Sequence, residues 1–160
     1  MRSLISHNDF PTAKNFCYLN AANVSLTYSK AQSVNEQWFT DIAHNGSNNF
    51  TEKAEEVVFD GIHKSAAEFI NAKPCEIAGG SSATELLSSL AWSIAPKKGQ
   101  NIVSTTSAFP STVYPWLRVA SSTGAEIKLA KSKNGFSSLS AICNLINNKT
   151  SVVCISHTEY

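Results

Sequence analysis

From residue 54 to residue 70 the apolar side chains recur at helical spacing: Ala54, Val57, Val58, Gly61, Ile62, Ala66, Phe69 and Ile70. A stripe on a 3.6-residue period predicts an amphipathic helix with one buried face. Thr51 reads as its N-cap, with Glu52 in the first turn, and the pattern stops near Asn71, ahead of Lys73-Pro74. An earlier helix is predicted from Lys30 to about His44, closed by the polar loop Asn45-Gly46-Ser47-Asn48-Asn49. The residues before Ser29 read as irregular, with Cys17-Tyr18-Leu19 as a short extended piece.

After Pro74 two periods alternate. Glu76-Ile77-Ala78-Gly79 reads as a short strand. Ala83, Leu86, Leu87, Leu90, Ala91 and Ile94 mark one face of a helix that Pro96 and Gly99 stop. Asn101-Ile102-Val103-Ser104-Thr105 is a strand, and Ser111 to Ser122 a helix whose true start Pro115 places in the first turn. Ala125-Glu126-Ile127-Lys128-Leu129 is a strand. Ser137 to Asn147 is a helix with Leu139, Ile142, Leu145 and Ile146 inward. Ser151 to Ser156 is a final apolar strand. This order predicts an α/β fold of three layers, a mostly parallel sheet with flanking helices. Ligands on such sheets sit beyond the carboxyl ends of the strands. Those ends are Gly79 to Thr84, Thr105 to Ser111 and Ser156 to Tyr160.

Composition narrows the classes. The 160 residues hold 13 Lys+Arg and 12 Asp+Glu, a formal charge of +1, and only 16% are charged, where about 25% is usual. Ser, Asn and Thr fill the gap. No basic cluster exceeds Lys97-Lys98, so nucleic acid is not an expected partner. No apolar run approaches the ~20 residues of a membrane span. The opening Met1-Arg2-Ser3-Leu4-Ile5-Ser6-His7 has no continuous apolar stretch, so no signal peptide is expected. Cys17, Cys75, Cys143 and Cys154 form neither a Cys-x-x-Cys pair nor a zinc spacing. They read as reduced thiols of a cytoplasmic protein without a metal site.

Candidate chemistry falls at the three strand ends. Gly79-Gly80-Ser81-Ser82-Ala83-Thr84-Glu85 joins a strand to a helix. Its glycines allow a tight turn, and its hydroxyls stand beside the unpaired N–H groups of a helix start, which is how a phosphate is held. The alternative is a plain N-cap at Ser82 with Glu85 as its capping-box partner. There is no Walker lysine. Ser107 to Trp116 places Phe109, Tyr114 and Trp116 at the next strand end, for stacking on a flat ring or for ordinary core packing. Ser156-His157-Thr158-Glu159-Tyr160 offers a histidine and a carboxylate for acid–base work, or a structural histidine.

In order and spacing, these segments resemble the first part of the class V aminotransferases, which are fold-type I pyridoxal-phosphate enzymes that include cysteine desulfurases and isopenicillin N epimerase-like proteins. Tyr18-Leu19-Asn20-Ala21-Ala22 resembles the family's motif near its substrate site. Ser81-Ser82-Ala83-Thr84-Glu85 resembles the Ser-Gly-Ala-Thr-Glu phosphate loop. Phe109-Pro110-Ser111-Thr112-Val113-Tyr114-Pro115-Trp116 resembles the Phe-Pro-Ser-Asn or His-His-Ala-Asn segment that ends in Pro-Trp. Cys154-Ile155-Ser156-His157-Thr158 resembles the Val-Ser-His-Val strand end. The resemblance implies pyridoxal 5'-phosphate as cofactor. Ser82, Ala83 and Thr84 would hold its phosphate and Phe109 would stack on its ring. Asn20 and Ala21 would lie towards an amino acid substrate, and Tyr160 near the position of an Asn that bonds the cofactor's phenolic oxygen. The intact protein would be a homodimer. Residues 1–50 would be an N-terminal segment with the first helix, and 51–160 an incomplete large domain.

Departures shape the expectation. Ser82 stands where Gly is usual and should crowd the loop slightly. Phe109 replaces the desulfurases' His and removes an acid–base group, which leans towards the epimerase-like or aminotransferase-like branch. Tyr160 puts the phenolic hydrogen bond in doubt. No catalytic residue is assigned: the family's Schiff-base lysine and the acid facing the pyridine nitrogen come later in the chain than these motifs. Gly61-Ile62-His63-Lys64 superficially resembles the His-Lys pair but precedes the loop and reads as a solvated helix face. The expected function is thus the N-terminal part of a pyridoxal-phosphate enzyme, inactive as this chain alone. The alternatives are a non-catalytic truncated or interaction protein of the same fold, and an unrelated phosphate-binding α/β domain.

Overall fold

A computed structural model describes Ser6 and residues 8–158. The chain divides into two compact units, Met1–Gly61 and Ile62–Tyr160.

The first unit opens with a 3-10 turn, Pro11–Lys14, and then carries α1 (Ser29–Asn45) and α2 (Glu52–Val57). Gly46 ends α1 at φ 59, in the left-handed region that favours glycine. The Asp41 carboxylate accepts from Asn45 Nδ2 and Asn49 Nδ2, both at 2.7 Å. These bonds, the Asn45 one first, hold Asp41 below its ordinary carboxylate pKa. Trp38 meets Phe50 edge to face at 5.3 Å, so the polar loop is closed at both ends.

Thr51 caps α2 as its sequence predicts, accepting from the Ala54 N–H at 3.3 Å. The predicted continuous helix is instead broken. α2 ends at Val57 and α3 runs Asp60–Ile70, with a turn at Val58-Phe59 between them. Val57-Val58 are weak helix formers, and Asp60 prefers a helix start. The expected buried face fails too. α3 buries only Ala67, while Val57, Val58, Phe59 and Ile62 are exposed and Phe69 is 90% exposed. Without cover over the stripe, packing does not enforce one long helix.

The second unit holds α4 (Ala83–Ile94), β1 (Asn101–Thr105), α5 (Pro110–Thr123), β2 (Glu126–Ala130), α6 (Leu139–Cys143) and β3 (Thr150–Val153). The three strands form one sheet in the order β2-β1-β3, parallel throughout. Central β1 is buried along its whole length. Its alternation sends Ile102 to a cluster with Ala91, Trp116, Val119 and Ala120, and Val103 to a second with Ala130 and Ile142. Helices α4 and α5 therefore cover one face and α6 the other, giving the predicted three layers. Full burial of Ile102, Val103 and Val119 contributes about 1.5–3 kcal/mol each. Among the described residues no helix is long and apolar enough to cross a membrane.

Several boundaries differ from the sequence reading. Residues 76–79 form no strand: a 3-10 turn, Pro74–Glu76, takes up Glu76, and Ile77 is extended but pairs with no strand among the described residues. Pro110, not Pro115, starts α5; Pro115 sits in its second turn, buried, and denies the Ser111 carbonyl its usual i+4 donor. α6 stops at Cys143, where Leu145 and Ile146 donate to carbonyls three residues back and tighten the end. Ile142 and Leu145 turn inward as expected, but Leu139 is 73% exposed and Ile146 is exposed. β3 is shorter than predicted. Its pairing with β1 slips between Asn101 and Ile102, where Ser151 is skipped. Asn101 braces the slip: its Nδ2 donates to Asn147 Oδ1 at 3.0 Å and its Oδ1 accepts from Thr150 Oγ1 at 2.8 Å.

Candidate functional site

The start of α4 is built by three side chains. Ser82, in extended backbone at φ −161, is the N-cap, and its Oγ accepts from the Glu85 N–H at 3.1 Å. Glu85 does not close a capping box onto Ser82. It reaches one residue further, where its Oε2 accepts from the Ser81 hydroxyl at 2.6 Å and the Ser81 N–H at 2.7 Å. Those two bonds, the hydroxyl first, hold the Glu85 carboxyl below its ordinary pKa. Among the described residues the N–H groups of Ser82, Ala83 and Thr84 therefore meet no acceptor. Gly80 makes the approach possible: a Cβ there would lie 2.8 Å from Leu86 Cδ2.

The start of α5 lies against it. Phe109 is the N-cap, 49% exposed, without a side-chain capping bond, and Pro110 fills the first position. Ser111 follows, and its Oγ sits 2.7 Å from Thr84 Oγ1 across the two helices. This contact sets the start of α4, with Ser82, Ala83 and Thr84, beside the start of α5, whose N-cap is Phe109. Two helix N-termini converge there, each carrying roughly half a positive charge. No acidic residue occupies the first turn of α5, and the one in α4, Glu85, is engaged by Ser81. The arrangement suits an anion with several acceptor oxygens and a flat ring beside Phe109. These are the demands of a pyridoxal phosphate, so the residues fit that group.

From the hydroxyl pair a groove of about 320 Å³ runs between α4 and α5, lined by Thr84, Ser88, Trp92, Ser111, Tyr114 and Arg118 among others. Arg118 adds a cation two turns below Ser111. A hollow of about 430 Å³ along α1 is lined only by residues 33–45, so no second element positions a ligand there. Ser111 and Arg118 were not singled out from the sequence. Ser111 lay inside the second motif, and the spacing Ser111, Tyr114, Pro115, Arg118 marks one helix face.

Asn20 and Ala21 belong to the first unit, where Ala21 opens a turn and the Asn20 carbonyl accepts from the N–H groups of Asn23 and Val24. Lys64 lies exposed on α3 and His157 is exposed past β3. Glu159 and Tyr160 lie outside the described residues. The four cysteines are unpaired. No three His, Cys, Asp or Glu side chains among the described residues are grouped to hold a metal.

The family model Aminotransferase class-V matches residues 17–160. A probable cysteine desulfurase of Ureaplasma parvum is 32% identical over 90% of this chain and 37% of its own length. An aminotransferase-like protein of Gibberella zeae is 30% identical over 70% of this chain and 29% of its own. The chain thus spans about a third of the curated relatives it matches. Among solved structures, a mutant of the lyase C-DES with glycine covalently linked to its PLP cofactor aligns with a TM-score of 0.80. The identity is 18%, covering 98% of this chain and 42% of that one. A cysteine desulfurase from Thermococcus onnurineus aligns with a TM-score of 0.75 at 22% identity, covering 95% of this chain and 39% of that one.

Proposed function

The chain belongs to the class V aminotransferase family, and from that premise we propose that it is the cofactor-phosphate-binding part of a pyridoxal-phosphate enzyme acting on an amino acid. The observation that carries this is the convergence of the α4 and α5 N-termini at the Thr84–Ser111 contact. Ser82, Ala83 and Thr84 hold the phosphate through N–H groups and the Thr84 hydroxyl, and Phe109 covers one face of the ring. When bound, the cofactor supplies an electron sink for chemistry at the α-carbon of an amino acid. Asn20 and Ala21 bind the substrate side. Residues 51–160 belong to the cofactor domain and residues 1–50 precede it. Family membership removes the reading of an unrelated phosphate-binding domain.

The reaction is transamination, epimerisation or lyase chemistry. Phe109 lacks an acid–base group, which argues against a desulfurase; two curated relatives named as probable cysteine desulfurases argue the other way. The 160 residues alone are inactive in this reading, because Lys64 precedes the phosphate loop on a regular helix, whereas the family's Schiff-base lysine follows that loop. The working protein is a cytoplasmic homodimer, a location that suits unpaired thiols. The test is titration of the chain with pyridoxal phosphate and with pyridoxal, followed by calorimetry. The phosphate ester binding at least about tenfold tighter is expected from its charge-assisted hydrogen bonds. Equal affinities would refute the reading.

A second reading, a non-catalytic interaction protein of the same fold, is favoured by the exposed apolar side chains of α3 and by the open edges of β2 and β3. Sedimentation and denaturation of the purified chain test it: a soluble monomer that unfolds cooperatively supports this reading, whereas aggregation or dependence on a second chain supports part of a larger enzyme.

A further inference from the structure

We propose that Ser111 is a positioning residue for the cofactor phosphate, acting by fixing the Thr84 hydroxyl; this rests on the pyridoxal-phosphate reading above. Both residues occupy the second position of their helices, Thr84 in α4 and Ser111 in α5. Their oxygens are 2.7 Å apart, although 27 residues separate them in sequence. Two hydroxyls in contact share one hydrogen and leave the other to donate outward. Among the described residues, neither hydroxyl has another partner. The second hydrogen is therefore directed by the pair, beside the unpaired N–H groups of Ala83 and Thr84.

Alone, the Thr84 side chain could rotate among its staggered wells. Ser111 limits that choice. It ties one helix start to the other, so the phosphate donors of α4 and the ring-facing Phe109 of α5 keep one spacing. Ser111 does this at no cost in helix propensity, because serine is well tolerated in a first turn. Its effect on affinity is of the order of one charge-assisted hydrogen bond, about tenfold in Kd.

The test measures Kd for pyridoxal phosphate and for pyridoxal in the wild-type chain and in Ser111→Ala, Ser111→Thr, Thr84→Ala and the double alanine variant. Ser111→Ala is expected to weaken pyridoxal phosphate about tenfold and to leave pyridoxal unchanged. Ser111→Thr, which keeps the hydroxyl, should restore the preference. The double variant should bind no worse than Thr84→Ala alone, because Ser111 acts through Thr84. Equal losses for both ligands, or additive losses in the double variant, would overturn the assignment, as would an unchanged Ser111→Ala. If Ser111→Ala does not fold, Ser111→Val set against Ser111→Thr isolates the hydroxyl at matched shape. A wild-type chain without phosphate preference overturns the functional reading and this inference together. A wild-type preference that Ser111 variants retain overturns the inference alone.

Discussion

Asn101→Ala should weaken the second unit by about 2 kcal/mol. The side chain is 2% exposed at the head of β1. It donates to Asn147 at 3.0 Å and accepts from Thr150 at 2.8 Å. Each such bond contributes about 1 kcal/mol net. The orphan penalty adds little, because Asn147 is exposed and Thr150 partly so, and water can replace the lost partner. Urea denaturation followed by circular dichroism reads the change. With a slope of about 1–2 kcal/mol per molar, the midpoint should fall by about 1–2 M while the slope stays constant. Hydrogen exchange should also show the amides of β3 opening first, since Asn101 braces the slip that sets the β3 register. A loss below about 0.5 kcal/mol, on the scale of ordinary surface changes, would refute the brace. So would β3 protection equal to wild type.

Other expectations follow from single contacts. Gly80→Ala places a Cβ 2.8 Å from Leu86 Cδ2 and should loosen pyridoxal-phosphate binding, whereas Gly79→Ala meets nothing within 4 Å and should not; paired titrations check this. The Glu85 pKa is lowered from 4.5, so its hold on Ser81 is present above that value and is lost as pH falls through the lower folded one. Nuclear magnetic resonance should show the Ser81 amide shift moving only below about pH 4.5. A Ser81 amide that titrates near neutrality would refute the contact. Trp116 is 1% exposed and its Nε1 has no partner among the described residues. Trp116→Phe removes that orphan donor and should cost well under the ~3–5 kcal/mol expected of Trp116→Ala in thermal denaturation; equal costs would show that the indole N–H is satisfied.

Much of the fold was legible because short-range chemistry agreed with packing. α4 begins after the Ser82 cap and ends before Pro96, as its pattern requires. β1 reads as a strand and is buried on both faces. Three site positions, Ser82, Ala83 and Thr84, share one helix start with unpaired N–H groups, a local arrangement that sequence can encode. Two failures share one cause. The stripe of α3 and the inward placement of Leu139 and Ile146 beside α6 were inferred from apolar spacing, which says what could be buried but not whether anything covers it. Leu139 and Phe69 follow the pattern and remain exposed.

What the sequence determined by itself was therefore the set of locally coded features: the caps at Thr51 and Ser82, the alternation of helices and strands from α4 to β3, and the parallel α/β class. Caps and periodicity act within a few residues, so the chain specifies them without distant partners. Tertiary structure alone decided which stripes find cover, where β3 slips against β1, and that Ser111 meets Thr84 across 27 residues. Those outcomes depend on bringing remote segments together, and their energies exist only once the layers are packed.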